Sequence, residues 1–362
     1  MKKIIALIVL VILAGYLLFW PVPINAVAWK APAAPALDGP FQVNDKLAAA
    51  RKLGIGQGHG PEDVAIDDNG QLYVGYEDGS LVRFDGNGEH PDLITNTGGR
   101  PFGLDFAPDG TLVVADGYRG LLRVNTQSGA VTLLSDGADG VPFRFTDDVD
   151  VARDGTVYFS DASSKFGPAN KARDDIIEHG GHGRLLKYDP ATGTTTVLLK
   201  GLQFANGVAL AADESFVLVT ETGSYDVVRY WLTGDKAGSH DLFYENLPGI
   251  PDGISSNGAD TFWVALFAPR NRALDTMSDK PLLREMVFRL PEFMQPQPAH
   301  HAFVLGLDER GKVTHNLQYR DSNAFSPITS VEQRGNRLYL GSLTANGFAV
   351  YALDQPHTES TQ

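Results

Sequence analysis

Three carboxylates and one carboxamide occupy a single equivalent position of a motif that recurs six times. Its openings read PEDVAID, PFGLDFA, TDDVDVA, ANGVALA, PDGISSN and ITSVEQR, with second letters Glu62, Phe102, Asp147, Asn206, Asp252 and Thr329. Any one of the polar residues alone is explained by turn chemistry, because Asp and Asn bond their own backbone in turns. A local turn duty gives no reason to hold Glu62 and Asn206 in register. In a radial repeat the equivalent positions converge on one axis. Carboxylates pushed together there repel unless a proton or a cation lies between them. An all-oxygen donor set suits a hard divalent ion, calcium before others. The expectation is one Ca2+ in a central channel, held by Glu62, Asp147, Asn206 and Asp252.

A second set falls at the ends of the strands that return to the same face: Asp116, Asp161 and Glu221. These are expected either to hydrogen-bond the ligands or their waters, or to serve as ordinary turn residues. His59 precedes Glu62 by three residues in GQGHGPED and is a candidate general base at the channel mouth. Asp252 is a second candidate base besides being a ligand. His179 and His182 have zinc-like spacing but lie in a Gly-rich stretch without further ligands, which reads as a solvated loop; His300 and His301 read the same way. The sequence contains no G-x-S-x-G elbow, Walker A loop or G-x-G-x-x-G fingerprint, and DDVDVARDG lacks EF-hand spacing.

The elements that must position these residues are strands. Asn69-Gly70, Asp78-Gly79, Asp109-Gly110 and Asp154-Gly155 mark tight hairpin turns. Each unit reads as a short inner strand followed by further strands and turns, and six units predict an all-β, six-bladed β-propeller over residues 45–353. A strand from within about residues 40–55 is expected to pair with the last blade and close the ring, removing exposed edges. Lys165 to Gly183 and Pro269 to His301 are long insertions, of the kind used as lids or binding loops.

Lys2 and Lys3 precede an uncharged apolar run from Ile4 to Trp20, and the next charge is Lys30. The run is long enough to cross a bilayer, so residues 1–30 are expected to form a cytoplasmic stub and an N-terminal transmembrane helix; a cleaved secretion signal is the alternative. The lysines would stay in the cytoplasm, placing the propeller on the other side of the membrane, periplasmic in a bacterium. Residues 31–44, rich in Ala and Pro, read as a stiff spacer, and 354–362 as a frayed tail. A net charge of −14 among 362 residues would repel phosphate backbones, so nucleic acid is not an expected partner. The absence of cysteine removes disulfides, thiolate metal sites and a cysteine nucleophile.

RPFGLDF, VPFRFTDDVDVARDGTVYFSDASSKF, GRLLKYDPATGTTTVLLKGLQFANGVAL and RYWLTGDKAGSHDLFYENLPGIPDGI resemble the strictosidine synthase-like and adipocyte plasma membrane-associated protein-like family of six-bladed propellers, which is related to the gluconolactonase and paraoxonase propellers. The resemblance covers roughly residues 45–353 and implies a catalytic calcium on a Glu, two Asn and an Asp. The matching positions are Glu62, Asp147, Asn206 and Asp252, with Asp147 standing where Asn is more usual. The glutamate that strictosidine synthase uses for amine–aldehyde condensation matches Thr329, which lacks that acid/base capacity. The family therefore implies a membrane-anchored calcium-dependent hydrolase of lactones, aryl esters or phosphotriesters. The alternative is a non-catalytic, calcium-stabilised propeller that binds a ligand or partner.

Overall fold

The computed structural model describes residues 1–353, without the side chains of 170 and 171; the tail expected over 354–362 lies outside the described residues. Six four-stranded antiparallel sheets form a β-propeller. The inner strands are Val64–Ile66, Pro101–Phe106, Thr146–Val151, Ala205–Leu210, Gly249–Ser256 and Val331–Arg334. Arg51–Leu53 pairs with Phe348–Ala352, so the last sheet joins both ends of the domain and the ring closes as the sequence predicts.

The core is divided among the joints between blades. Six apolar clusters each draw on two neighbouring sheets: Phe216, Leu218 and Phe243 of the fourth pack on Ile254, Phe262 and Phe303 of the fifth. Equivalent clusters fill the other five joints. The fourth letter of each opening (Val64, Leu104, Val149, Val208, Ile254, Val331) is buried in this core. Its neighbours along the strand consequently face the axis, because strand side chains alternate.

Both insertions contain helices, which the polar, Gly-rich text of the first does not announce. Lys171–Glu178 forms α2, counting the N-terminal helix Lys2–Phe19 as α1. Arg272–Met277 (α3) and Pro281–Phe288 (α4) follow in the fifth blade. The Asn271 side chain accepts from Ala273 N and Leu274 N to cap α3, and Pro281 opens α4 where no amide partner is needed. His179 is buried, its ring stacked on Trp29 at 4.1 Å. His182 Nε2 lies 2.6 Å from Glu178 Oε1. The stretch read as a solvated loop is thus a packed one, and its histidines stabilise α2. His301 is likewise buried, against Gln318.

Helix α1 buries none of its residues. Residues 31–44 are irregular, with one 3-10 turn at Gly39–Phe41, and they lie on the propeller rather than standing off it as a spacer would. Arg270 Nη2 donates to Pro32 O and Asn246 Nδ2 to Ala33 O, and Phe41 enters the core between the fourth and fifth blades.

Candidate metal centre

A register shift interrupts four inner strands where the openings occur: between Pro101 and Leu104, Thr146 and Val149, Ala205 and Val208, and Pro251 and Ile254. Such bulges place two residues opposite one and re-aim a side chain. Here each bulge turns the opening residue toward the axis in addition to the alternate residues that follow it. The residue after the opening must be small where blades crowd together: a Cβ on Gly207 would stand 2.2 Å from Ile254 N, and one on Gly253 2.6 Å from Thr329 O.

Glu62, Asp147, Asn206 and Thr329 line one cavity of about 120 Å³. Asp252 joins the group through Asn206, whose Nδ2 donates to Asp252 Oδ1 at 2.6 Å. All five are buried, the three carboxylates at 4–7% exposure. Glu62 Oε2 and Asp147 Oδ2 have no hydrogen-bond partner. Burial pushes the Glu62 carboxyl well up, and the negative charges of Asp147 and Asp252 add to this. Burial and then Asp252 do the same to Asp147. Burial raises Asp252 to about 7 despite the hydrogen bond from Asn206. Arg100 opposes the effect on Glu62 and Asp147; it lies over the ring of Phe102, 4.8 Å from the centroid. The one apolar opening is thereby accompanied by a cation.

The three returning carboxylates act on the backbone of the opening turns and not on the ligand side chains. Asp116 accepts from Arg100 N and Thr97 Oγ1. Asp161 accepts from Arg144 N, Phe145 N and the Arg184 guanidinium. Glu221 accepts from Gln203 N at 2.6 Å. They hold the turns that carry the site, the second of the two roles expected of them. Behind the candidate ligands stands Thr220, unnoticed in the sequence: its Oγ1 donates to Asp252 O and accepts from Gly207 N. His59 is not brought into the cavity lining. Its side chain is 57% exposed, with Nδ1 2.8 Å from Glu77 Oε2.

A lower tier also escaped sequence reading. Asp63, Asp105, Asp148, Asp150 and Glu332 line the same cavity. Four of them accept amides of the next blade: Asp63 from Leu104, Asp105 from Val151, Asp148 from Val208 and Asp150 from Leu210, at 2.6–2.9 Å. These are edge amides of the inner strands, which no further strand can satisfy. The available signal was the third and fifth letters of each opening once the second is assigned to the axis.

Residues 147–235 match the family described as strictosidine synthase, and residues 39–84 the strictosidine synthase-like N-terminal family. Protein STRICTOSIDINE SYNTHASE-LIKE 10 of Arabidopsis thaliana is 35% identical over 338 residues, 85% of this chain and 89% of that protein. The chain belongs to the strictosidine synthase-like family. Within it, the adipocyte plasma membrane-associated protein of Rattus norvegicus is 34% identical, covering 91% of this chain and 93% of its own. Among solved structures, a gluconolactonase from Xanthomonas campestris superposes with a TM-score of 0.61 at 19% identity, over 90% of this chain and 99% of that one. A calcium-binding regucalcin from Agrobacterium tumefaciens gives 0.57 at 14% identity, over 83% and 90%. Both share the fold. In this strictosidine synthase-like chain, Thr329 is buried with its Oγ1 donating to Glu62 O at 3.0 Å, so its hydroxyl supports a residue of the site.

Proposed function

We propose that the protein is a membrane-anchored, calcium-dependent hydrolase of lactones, aryl esters or phosphotriesters, with its propeller on the non-cytoplasmic side. The observation that carries this reading is the pair of buried, unpartnered oxygens, Glu62 Oε2 and Asp147 Oδ2, beside the Asn206–Asp252 pair. Unpaired buried carboxylate oxygens are strongly unfavourable, and a hard cation is the partner that their chemistry fits. Glu62, Asp147, Asn206 and Asp252 would hold the ion. When bound, calcium supplies polarisation of a carbonyl or phosphoryl oxygen and lowers the pKa of water. The chain's own contribution is to fix the oxygen donors and keep bulk water out. Phe102, Phe145 and Phe204 pack in a layer with Ile176 of α2 and Leu343. Asp252 Oδ1 is held by Asn206, which leaves Oδ2 to accept a proton from attacking water. His59, exposed outside the cavity lining and paired with Glu77, is the alternative base. Thr329 lacks an ionisable group for amine–aldehyde condensation.

One observation favours a second reading, a non-catalytic calcium-stabilised propeller: the cavity of about 120 Å³ is smaller than the roughly 300–1,000 Å³ of most ligand sites. Elemental analysis of the full-length chain, together with turnover of a lactone, aryl ester and phosphotriester panel with calcium and with chelator, separates the two. Bound calcium with chelator-sensitive turnover supports the hydrolase. Bound calcium without turnover of any substrate replaces it with the binding protein, and a chain that takes up no calcium overturns both.

A further inference from the structure

The helices of both insertions stand at the site-bearing end of the ring. Thr146 pairs with Asp161 and Gly249 with Pro269, so segments 162–182 and 270–301 leave their blades where Asp147 and Asp252 lie. That same end receives α1. Tyr16 Oη donates to Arg289 O at 2.8 Å, and Arg289 Nε donates to Trp20 O at 2.7 Å. Beyond Trp20 the chain is tied down: Asn25 N donates to Glu178 Oε2, Val27 N to Glu178 O and Trp29 N to Ser278 O. Arg284 reaches both Ile177 O and Val27 O. The tether is short and bonded to α2, α3 and α4, so a bilayer entered by α1 comes up against the end of the propeller that carries these helices.

That end presents apolar side chains to the outside. Leu282 and Leu283 on α4 are 55% and 38% exposed, and Phe293 and Met294 just beyond it 83% and 56%. Exposed apolar residues on the outer strands, such as Leu93 and Leu242, are scattered singly and need no explanation. The four around α4 are adjacent to the helix that meets α1, as an interfacial contact requires.

We propose that the site-bearing end of the propeller is seated on the lipid bilayer that α1 enters, with Leu282, Leu283, Phe293 and Met294 in its interfacial layer. The four oxygen ligands then lie toward the membrane, and the opposite end of the channel toward water. This inference rests on α1 being a membrane anchor, and its test separates the two. The chain has no cysteine, so single-site variants Val11→Cys, Phe293→Cys and Asn87→Cys can each carry one environment-sensitive nitrobenzoxadiazole label. Asn87 follows the strand Ser80–Phe84 at the end away from the site. The labelled full-length chains are placed in phosphatidylcholine nanodiscs with and without doxyl-labelled phosphatidylcholine. The labels at Val11 and Phe293 are expected to lose at least half their emission to the doxyl lipid and to resist aqueous iodide, and that at Asn87 to do the reverse. Quenching at Val11 with an aqueous Phe293 label overturns the seating and leaves the anchor standing. An unquenched Val11 label removes the anchor and the inference with it. A Phe293 label shielded from iodide but unaffected by doxyl lipid shows that protein, such as a second copy, covers the patch, and also overturns the proposal.

Discussion

Replacing Asp252 with Asn should stabilise the metal-free protein while weakening its response to calcium. Burial raises the Asp252 carboxyl from 3.8 to about 7. A group whose folded-state pKa is raised contributes stability fully below its unfolded value, here pH 3.8, and loses it as pH rises through about 7. Three units at about 1.4 kcal/mol each give a penalty of about 4 kcal/mol at pH 8. Asn carries no such penalty, and its Oδ1 can still accept from Asn206 Nδ2. With an unfolding entropy of about 2.1 cal/mol/K per residue, a domain of this size changes Tm by about 1.5 °C per kcal/mol. The variant should therefore melt up to about 6 °C above wild type at pH 8 in chelator. Calcium at 100 times its Kd adds about 2.7 kcal/mol to wild type, an upward shift of about 4 °C, whereas the variant has lost an anionic ligand and should shift by about 1 °C or less. The assay is thermal unfolding of the full-length chain in nanodiscs at pH 8, with chelator and with calcium. A variant that melts below wild type in chelator, or that keeps the full calcium shift, refutes the reasoning.

Two further predictions concern the scaffold of the site and the N-terminal strap, residues 25–29, bonded to α2. Asp161→Ala removes the acceptor for Arg144 N and Phe145 N and strands the buried Arg184, so it should cost about 3–5 kcal/mol and weaken calcium binding through the turn that presents Asp147; denaturant unfolding and calcium titration check both, and an unchanged stability contradicts the assignment. Burial, with Arg284 adding to it, depresses His179 from 6.5 to about 4. Its contribution is present above pH 6.5 and lost as pH falls through about 4, so about 3 kcal/mol of stability should disappear over that window. Emission of Trp29, stacked on the ring, should report it, and a His179→Phe chain with the same acid profile would show the assignment to be wrong.

The architecture was legible because two periodicities coincide in the text. Turn dipeptides recur at blade spacing, and each opening places an apolar residue two positions after the polar one, as Asp147 and Val149 do. The four candidate ligand positions were chosen from that register, and the structure brings those side chains together. What the text concealed was where the neighbouring backbone lies. Asp161 and Asp116 look the same as ligands in sequence; only the folded turns show their oxygens filled by amides. His59 is close to Glu62 in the chain, yet Glu77 on an adjacent turn draws its ring outward. Helices α2 and α4, at eight residues each, are too short to be stable alone and form by packing against the N-terminal strap, a contact across more than a hundred residues.

The same distinction explains why carboxylates crowding one channel do different work. In the lower tier, Asp63, Asp105, Asp148 and Asp150 each face an inner-strand amide of the following blade, so their charge is spent closing the ring. In the upper tier bulges displace Asp147, Asn206 and Asp252 from that ladder, and Glu62 stands ahead of its strand, which begins at Val64. Glu62 Oε2 and Asp147 Oδ2 are left buried without a hydrogen-bond partner. A strand that continued its alternation without interruption would align every carboxylate with an amide and leave no oxygen for a ligand. The irregularity of the inner strands is what converts a structural row of acids into a candidate metal centre.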